Sequence, residues 1–363
     1  MQGYATYQTM MGMRLSDLRF LLAWLLPLSL MHGLLTNPQV AWIITLIFWV
    51  SIALLDAFLP GGKSSPAALK SDANLWFFSW ILRVYVLLQL VLLGIGAYVV
   101  AQADWPTALG VAFSVGYVTG SLGITFAHEL GHSKSKIDRF CGWVLMTTVC
   151  YGHFMVEHYR GHHPRAATFE DAASARYGET LYRFLPRTLW GSFISGWRLE
   201  AARIKQMKSS WLNSPLLWST IASLSIINAI AGVFIASIAT KLIAYFVLQS
   251  IVAFMLLEIV NYIEHYGLQR KFLENSQNST QNKRREPFGM MHAWNADHVV
   301  TNSMLANLQR HSDHHMHAYK PYPTLEPLPG PQLPTGYAGC LILAMVPPLW
   351  FKVMHKRLER LAS

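Results

Sequence analysis

Six stretches of this chain are apolar over the roughly 20 residues a helix needs to cross a bilayer. They lie at about 18–35, 39–59, 75–101, 106–127, 215–240 and 242–263. The composition agrees: of 363 residues, 53% are hydrophobic and 13% charged, with a mean hydropathy of +0.28, too apolar for a soluble domain of this length. The expected fold is an all-α integral membrane protein. The runs pair into three hairpins, with short turns expected at 36–38 (Thr-Asn-Pro), at 102–105 and around Lys241. Two shorter runs, 140–151 and 337–351, fall below spanning length. Pro347-Pro348 interrupts the second, and both read as interfacial or re-entrant elements.

Charge sets the expected orientation. Twelve of the 29 basic residues lie in 128–213 and eleven in 266–363, two polar segments on one side of the hairpins, whereas the opposite turns hold Lys241 alone. Arg14, Arg19, Lys63 and Lys70 fall on the basic side. By the positive-inside rule that side is cytoplasmic, so both termini are expected there, in a multi-pass protein of the cell's inner membrane. The net charge of +10 is thus a topology signal, and without a stacking-aromatic motif no nucleic-acid partner is expected. The first fifteen residues carry no charged region leading into a short apolar core and cleavage site, so no removable signal peptide is expected. The expected division is 1–127 with four spans, 128–214 as a cytoplasmic segment, 215–263 with two more spans, and 264–363 as a cytoplasmic helical cap. No repeat or low-complexity tract appears, and only 274–287 has the composition of a disordered insert.

Nine of the 15 histidines cluster where apolar runs end or in the polar stretches beyond. His128 and His132 close the fourth run in His-Glu-Leu-Gly-His; at i and i+4 they share a helical face and can grip one ion. His158, His162 and His163 repeat that spacing with an adjacent imidazole, which suits a second ion. His265 ends the sixth run, and His311, His314 and His315 complete the set. Nine ligands are too many for one ion and suit two, as five and four, with positions left open for oxygen; iron, zinc and copper all accept imidazole. Neutral rings do not balance two divalent ions, so carboxylates are expected on the outer ring nitrogens. Glu129, Glu157, Glu264 and Asp313 stand beside or near ligands, with Asp171 and Asp297 as further candidates. His32, His153, His292, His298, His317 and His355 lack ligand spacing, with His317 and His355 expected in solvent and His32 on the opposite side. Cys141, Cys150 and Cys340 offer no paired spacing, hence neither a disulfide framework nor a thiolate site. The HExxH pattern also occurs in zinc proteases, but that reading leaves most of the imidazoles unused.

These four motifs, His-Glu-Leu-Gly-His132, Glu-His-Tyr-Arg-Gly-His-His163, Asn-Tyr-Ile-Glu-His-Tyr-Gly267 and Leu-Gln-Arg-His-Ser-Asp-His-His315, resemble those of membrane alkane 1-monooxygenases (alkane omega-hydroxylases) over nearly the whole chain. Membrane fatty-acid desaturases share the general histidine plan, but the Asn-Tyr-Ile-Glu-His-Tyr-Gly segment favours the hydroxylases. The resemblance implies a non-haem di-iron enzyme with the nine histidines as iron ligands. Such an enzyme uses O2 to convert medium- or long-chain n-alkanes to 1-alkanols, with electrons from rubredoxin and its NAD(P)H-dependent reductase. Rubredoxin's paired CxxC knuckles are absent here, so the donor is expected as a separate chain or a removed fusion. Related di-iron enzymes acting on xylenes, fatty acyl chains or terpenes are the alternative reading. A metal transporter or store fits less well, because the ligands gather at one membrane face rather than at the midplane.

A substrate without polar groups is held only by burial, at roughly 0.8 kcal/mol per CH2. The channel is therefore expected among the spans, with Phe48, Trp49 and Leu55 as candidates for limiting chain depth. Arg83 and Glu258 lie about two turns inside their spans, where charge is costly unless paired, and they are expected to pair or to join the outer metal shell.

Overall fold

The computed structural model describes residues 15–59, 72–273 and 284–362. Arg14, Lys63, Lys70 and most of the 274–287 insert lie outside them. The described residues are helical, with two isolated β-bridges as the sole extended pairings. Six helices have the length and apolarity to span a membrane, which makes this a multi-pass membrane protein: α1 (Ser16–Thr36), α2 (Pro38–Phe58), α3 (Leu75–Gln102), α4 (Trp105–His132), α7 (Pro215–Val233) and α8 (Ala236–His265). Between α4 and α7 lie α5 (Lys136–Thr148) and α6 (Leu181–Gln206). After α8 come α9 (Val299–Met304), α10 (His311–Met316), α11 (Tyr337–Ala344) and α12 (Pro347–Ala362).

The bundle is built around α4. Its apolar window is 78% buried, against 17% for α2 and for α7, which therefore form the periphery. Apolar surface gains nothing by leaving lipid, so close backbone approach has to supply the packing. Gly116 and Gly120 provide it: a Cβ at Gly116 would stand 2.6 Å from the Gln249 carbonyl oxygen, and one at Gly120 2.7 Å from Ala253 Cα. Beside this contact Thr119 donates to Gln249 Oε1 (3.0 Å), and Gln89 donates to Thr148 Oγ1 (2.8 Å), so polar groups inside the bundle bond one another. At Thr119–Ile124 helix α4 widens into a π-turn.

Two expectations need correction. The last hairpin turns at Phe234-Ile235, whose backbones are extended, and not at Lys241. A lysine is a good helix former, and here its Nζ bonds the carbonyls of Ala101 (3.3 Å) and Ala103 (2.8 Å) where α3 ends. The 337–351 run does break at its prolines, because Pro347 opens α12, a position that needs no N–H donor; Trp350 and Met354 are fully buried. Arg83 and Glu258 do not meet. Arg83 Nε donates to Asp138 (2.6 Å), while Glu258 accepts from Tyr151 (2.8 Å), Thr188 (2.7 Å) and Asn261 (3.1 Å), because its helix face looks toward α6.

Candidate metal centre

Four chain segments deliver the nine histidines to one place: the end of α4, a π-turn at His158–His162 with His163 just beyond it, the end of α8, and α10. They form two groups, each with its ring nitrogens within 4.8 Å of one another: His128, His132, His158, His163 and His314, then His162, His265, His311 and His315. The groups share a wall, with the His163 and His315 ring centroids 4.4 Å apart. The other six histidines join neither group. His355, expected in solvent, is half-buried and bonds the Tyr266 hydroxyl (2.8 Å).

The π-turn alters the reading of the second motif. In an α-helix His158 and His162, four apart, would share a face. With the wider π-turn, His158 aligns instead with His163, Nε2 to Nε2 at 3.0 Å, and it is His162 that serves the second group. In α10 the i, i+4 rule holds for His311 and His315, while His314 faces the first group.

The rings suit metal ions. His163 Nε2 lies 3.2 Å from His132 Nε2, and His311 Nε2 lies 3.1 Å from His265 Nε2, about the separation of nitrogens sharing an ion at roughly 2.1 Å. Buried nitrogens without a protein partner include Nε2 of His128, His162 and His314 and both nitrogens of His315, an arrangement that is costly unless something binds them. Burial holds the pKa of His158, His163, His311, His314 and His315 well below the ordinary imidazole value, keeping lone pairs free for a metal. His162 differs. Burial opposes its charge too, yet the Asp171 carboxylate, 2.9 Å from Nδ1, outweighs burial and raises the pKa. Burial likewise raises the Asp171 carboxyl, and His162 with Ser174 overcomes this to hold it at about 2.

Of the six carboxylates singled out from sequence, two reach a clustered ring. Asp171 holds His162, and Glu264 Oε1 stands 3.3 Å from His311 Nδ1, outside hydrogen-bond geometry, while accepting from the Tyr337 hydroxyl at 2.6 Å. The others are engaged elsewhere: Glu129 by the Tyr322 N–H (3.1 Å), Glu157 by Arg165 (2.9 Å), Asp313 by His317 (2.8 Å) and Lys320 (2.7 Å), and Asp297 by Arg310 (2.8 Å). Glu129, the acid of the HExxH motif, joins neither histidine group.

An apolar pocket runs from the metal face into the bundle. Its inner end is formed by His128, His158 and His311 with Asn261, Glu264 and Tyr337; its walls come from the α4 π-turn (Gly120, Ser121, Leu122), from Leu26 and Ile52, and from α8, α9 and α11. Phe48, Trp49 and Leu55 do not line it. Trp49 stands behind the lining, its ring 5.6 Å from Tyr117 and its Nε1 donating to the Ala338 carbonyl (3.0 Å). Phe48 packs against the surrounding core, and Leu55 is 45% exposed on the outside of α2. Ile52, one turn nearer the metal face than Phe48, is the α2 residue that reaches the pocket. Neither Ser121 nor Tyr337 was marked by any spacing in the sequence.

The model of the fatty acid desaturase family matches residues 103–340, a span that holds all nine clustered histidines. The chain is 37% identical over 348 residues to alkane 1-monooxygenase 2 of Pseudomonas aeruginosa, covering 92% of this chain and 89% of that protein. It belongs to the membrane alkane 1-monooxygenase family. Alkane 1-monooxygenase 1 of P. aeruginosa is 40% identical over 281 residues (76% of this chain, 70% of that protein). The alkane 1-monooxygenase of Acinetobacter baylyi is 34% identical over 319 residues (86% and 75%). For a membrane alkane monooxygenase, a histidine-lined metal site meeting an oily pocket places the two requirements of the family's chemistry side by side.

Proposed function

We propose that this protein hydroxylates the terminal carbon of medium- or long-chain n-alkanes, converting alkane, O2, two electrons and two protons to 1-alkanol and water. The observation that carries the proposal is the pocket: apolar along its walls, it ends on the rings of His128, His158 and His311. The nine clustered histidines hold two iron ions, which when bound supply O2 activation and the electron transfers. The chain supplies the rest. The α4 π-turn and Ile52 exclude water and hold the alkane by burial alone, leaving its methyl end at the histidine layer. Tyr337 and Glu264, joined by the hydrogen bond that the Tyr337 hydroxyl donates at 2.6 Å, are the hydrogen-bonding groups best placed to steady a polar product at that end.

Electrons come from reduced rubredoxin, recharged by an NAD(P)H-dependent reductase, approaching a face rich in arginine and lysine that suits an acidic donor. The excess of basic residues in 128–213 and 266–363 supports a cytoplasmic position for that face, in a protein of the inner membrane. The test is turnover of octane or dodecane by purified protein in lipid with rubredoxin and reductase, alongside metal analysis. The expected result is the 1-alkanol with two irons per chain. Alkene as the sole product, or an active protein holding zinc and no iron, overturns the reading.

A further inference from the structure

We infer that α6 is an interfacial anchor, lying in the headgroup layer with one face set into the edge of the acyl chains. Its course fixes its level. Near its start Phe184 packs on Tyr262 (ring centroids 5.4 Å) and Thr188 bonds Glu258, both in the last turns of α8. Near its end Glu200 accepts from Ser214 (2.7 Å), the residue that caps α7. The end of α8 and the start of α7 belong to the same membrane face, so the 26 residues of α6, roughly 39 Å of helix, run along that face rather than through it.

The helix has three faces. One is buried on the bundle through Leu181, Phe184, Thr188, Ser192, Gly196 and Glu200. A second bears Tyr182 (61% exposed), Trp190 (67%) and Phe193 (42%), spaced for one stripe. Ring contacts extend it: Trp190 to Phe193 at 6.1 Å, Phe193 to Trp197 at 6.3 Å, and Trp197 to Trp211 at 5.8 Å. Trp218, 52% exposed on the first turns of α7, is tied in by its Nε1 bond to the Leu212 carbonyl (2.7 Å). The third face carries exposed Arg183, Arg198 and Lys205.

The occupant of the aromatic stripe is the bilayer. The stripe is continuous with α7, whose apolar window is only 17% buried by protein and so faces lipid. Tryptophan and tyrosine concentrate at membrane interfaces, where an apolar ring and a polar edge are both satisfied, and flanking cations favour anionic headgroups. Through Thr188 on Glu258 and through Ser195, which receives Arg165 Nη2 at 2.7 Å, the same helix braces the histidine layer. The lipid surface thereby sets the height of the metal centre, whatever the pocket binds.

The test is carbene footprinting of the full chain in phosphatidylglycerol-containing proteoliposomes, read residue by residue by mass spectrometry, with one lipid-borne and one water-soluble diazirine. The expected result is lipid-borne labelling of Trp190 and Phe193 with aqueous labelling of Arg198 and Lys205. In a Trp190→Ser/Phe193→Ser/Trp197→Ser variant, lipid-borne labelling of α6 should fall at least threefold. Aqueous labelling of Trp190 and Phe193 overturns the inference, and so does protection from both reagents, which would mean that a second protein copy covers the stripe.

Discussion

A single pair of atoms decides much of the second histidine group. His162 offers Nε2 inward only because Asp171 takes Nδ1. Asp171→Asn keeps the shape and removes the charge, so metal affinity of that group should drop about 10- to 100-fold, read as loss of roughly half the bound metal on dialysis against a weak chelator. A pocket residue makes a different prediction. Ser121 lines the wall and stands 2.7 Å from the Tyr117 carbonyl; Ser121→Phe should shorten the space and shift products toward shorter alkanes with metal content unchanged, measured by chromatography of a mixed-alkane incubation. The sequence displayed the ligands well, since histidine pairs at helical spacing are rare and specific. It displayed their supports poorly. A carboxylate adjacent to a ligand on a helix points about 100° away from it, which is why Glu129 and Glu157 bond elsewhere, whereas Asp171 folds back from eight residues beyond His163. Glu264 neighbours His265 and reaches His311 instead.

Among the elements, the spans were legible because bilayer crossing demands a length of apolar chain that little else requires. Turns inside continuous apolar sequence were not, and the break at Phe234-Ile235 has no polar marker. Neither π-turn can be foreseen from residue type, since both arise from packing, and both govern which face meets the centre. Helix α6 carries no comparable signal in the sequence, because its faces average to neutral hydropathy. It carries a clamp that matters to the site: Arg187 grips both oxygens of Glu179 (2.8 Å each) and bonds the carbonyls of Ala172 and Ser174 (3.1 Å each), ordering the loop after Asp171. Burial raises the Glu179 carboxyl, and the Arg187 fork more than offsets it, so its folded pKa lies below the ordinary 4.5. A depressed carboxyl contributes stability that is present above that ordinary value and lost as pH falls through the folded one. Melting temperature should therefore decline on acidification below about pH 4.5, and Glu179→Gln should flatten the decline; the pair is still partly exposed, so the effect is about 1 kcal/mol.

For the whole molecule, the centre works as a cross-link. Binding to nitrogens that only the folded chain brings together stabilises the fold by mass action. Stripping metal with a strong chelator should lower the melting temperature by several degrees, about 2–4 °C per kcal/mol for a chain of this order, and iron should restore it; an unchanged transition would place the nitrogens outside metal contact. The two groups are also interleaved along the chain. Each draws on the His158–His163 turn and on α10, and neither is complete within any one hairpin. A nascent chain therefore cannot complete either set of ligands until α10 has left the ribosome and docked. Completing the centre is then a late step of folding, and iron-starved cells should accumulate full-length but empty protein.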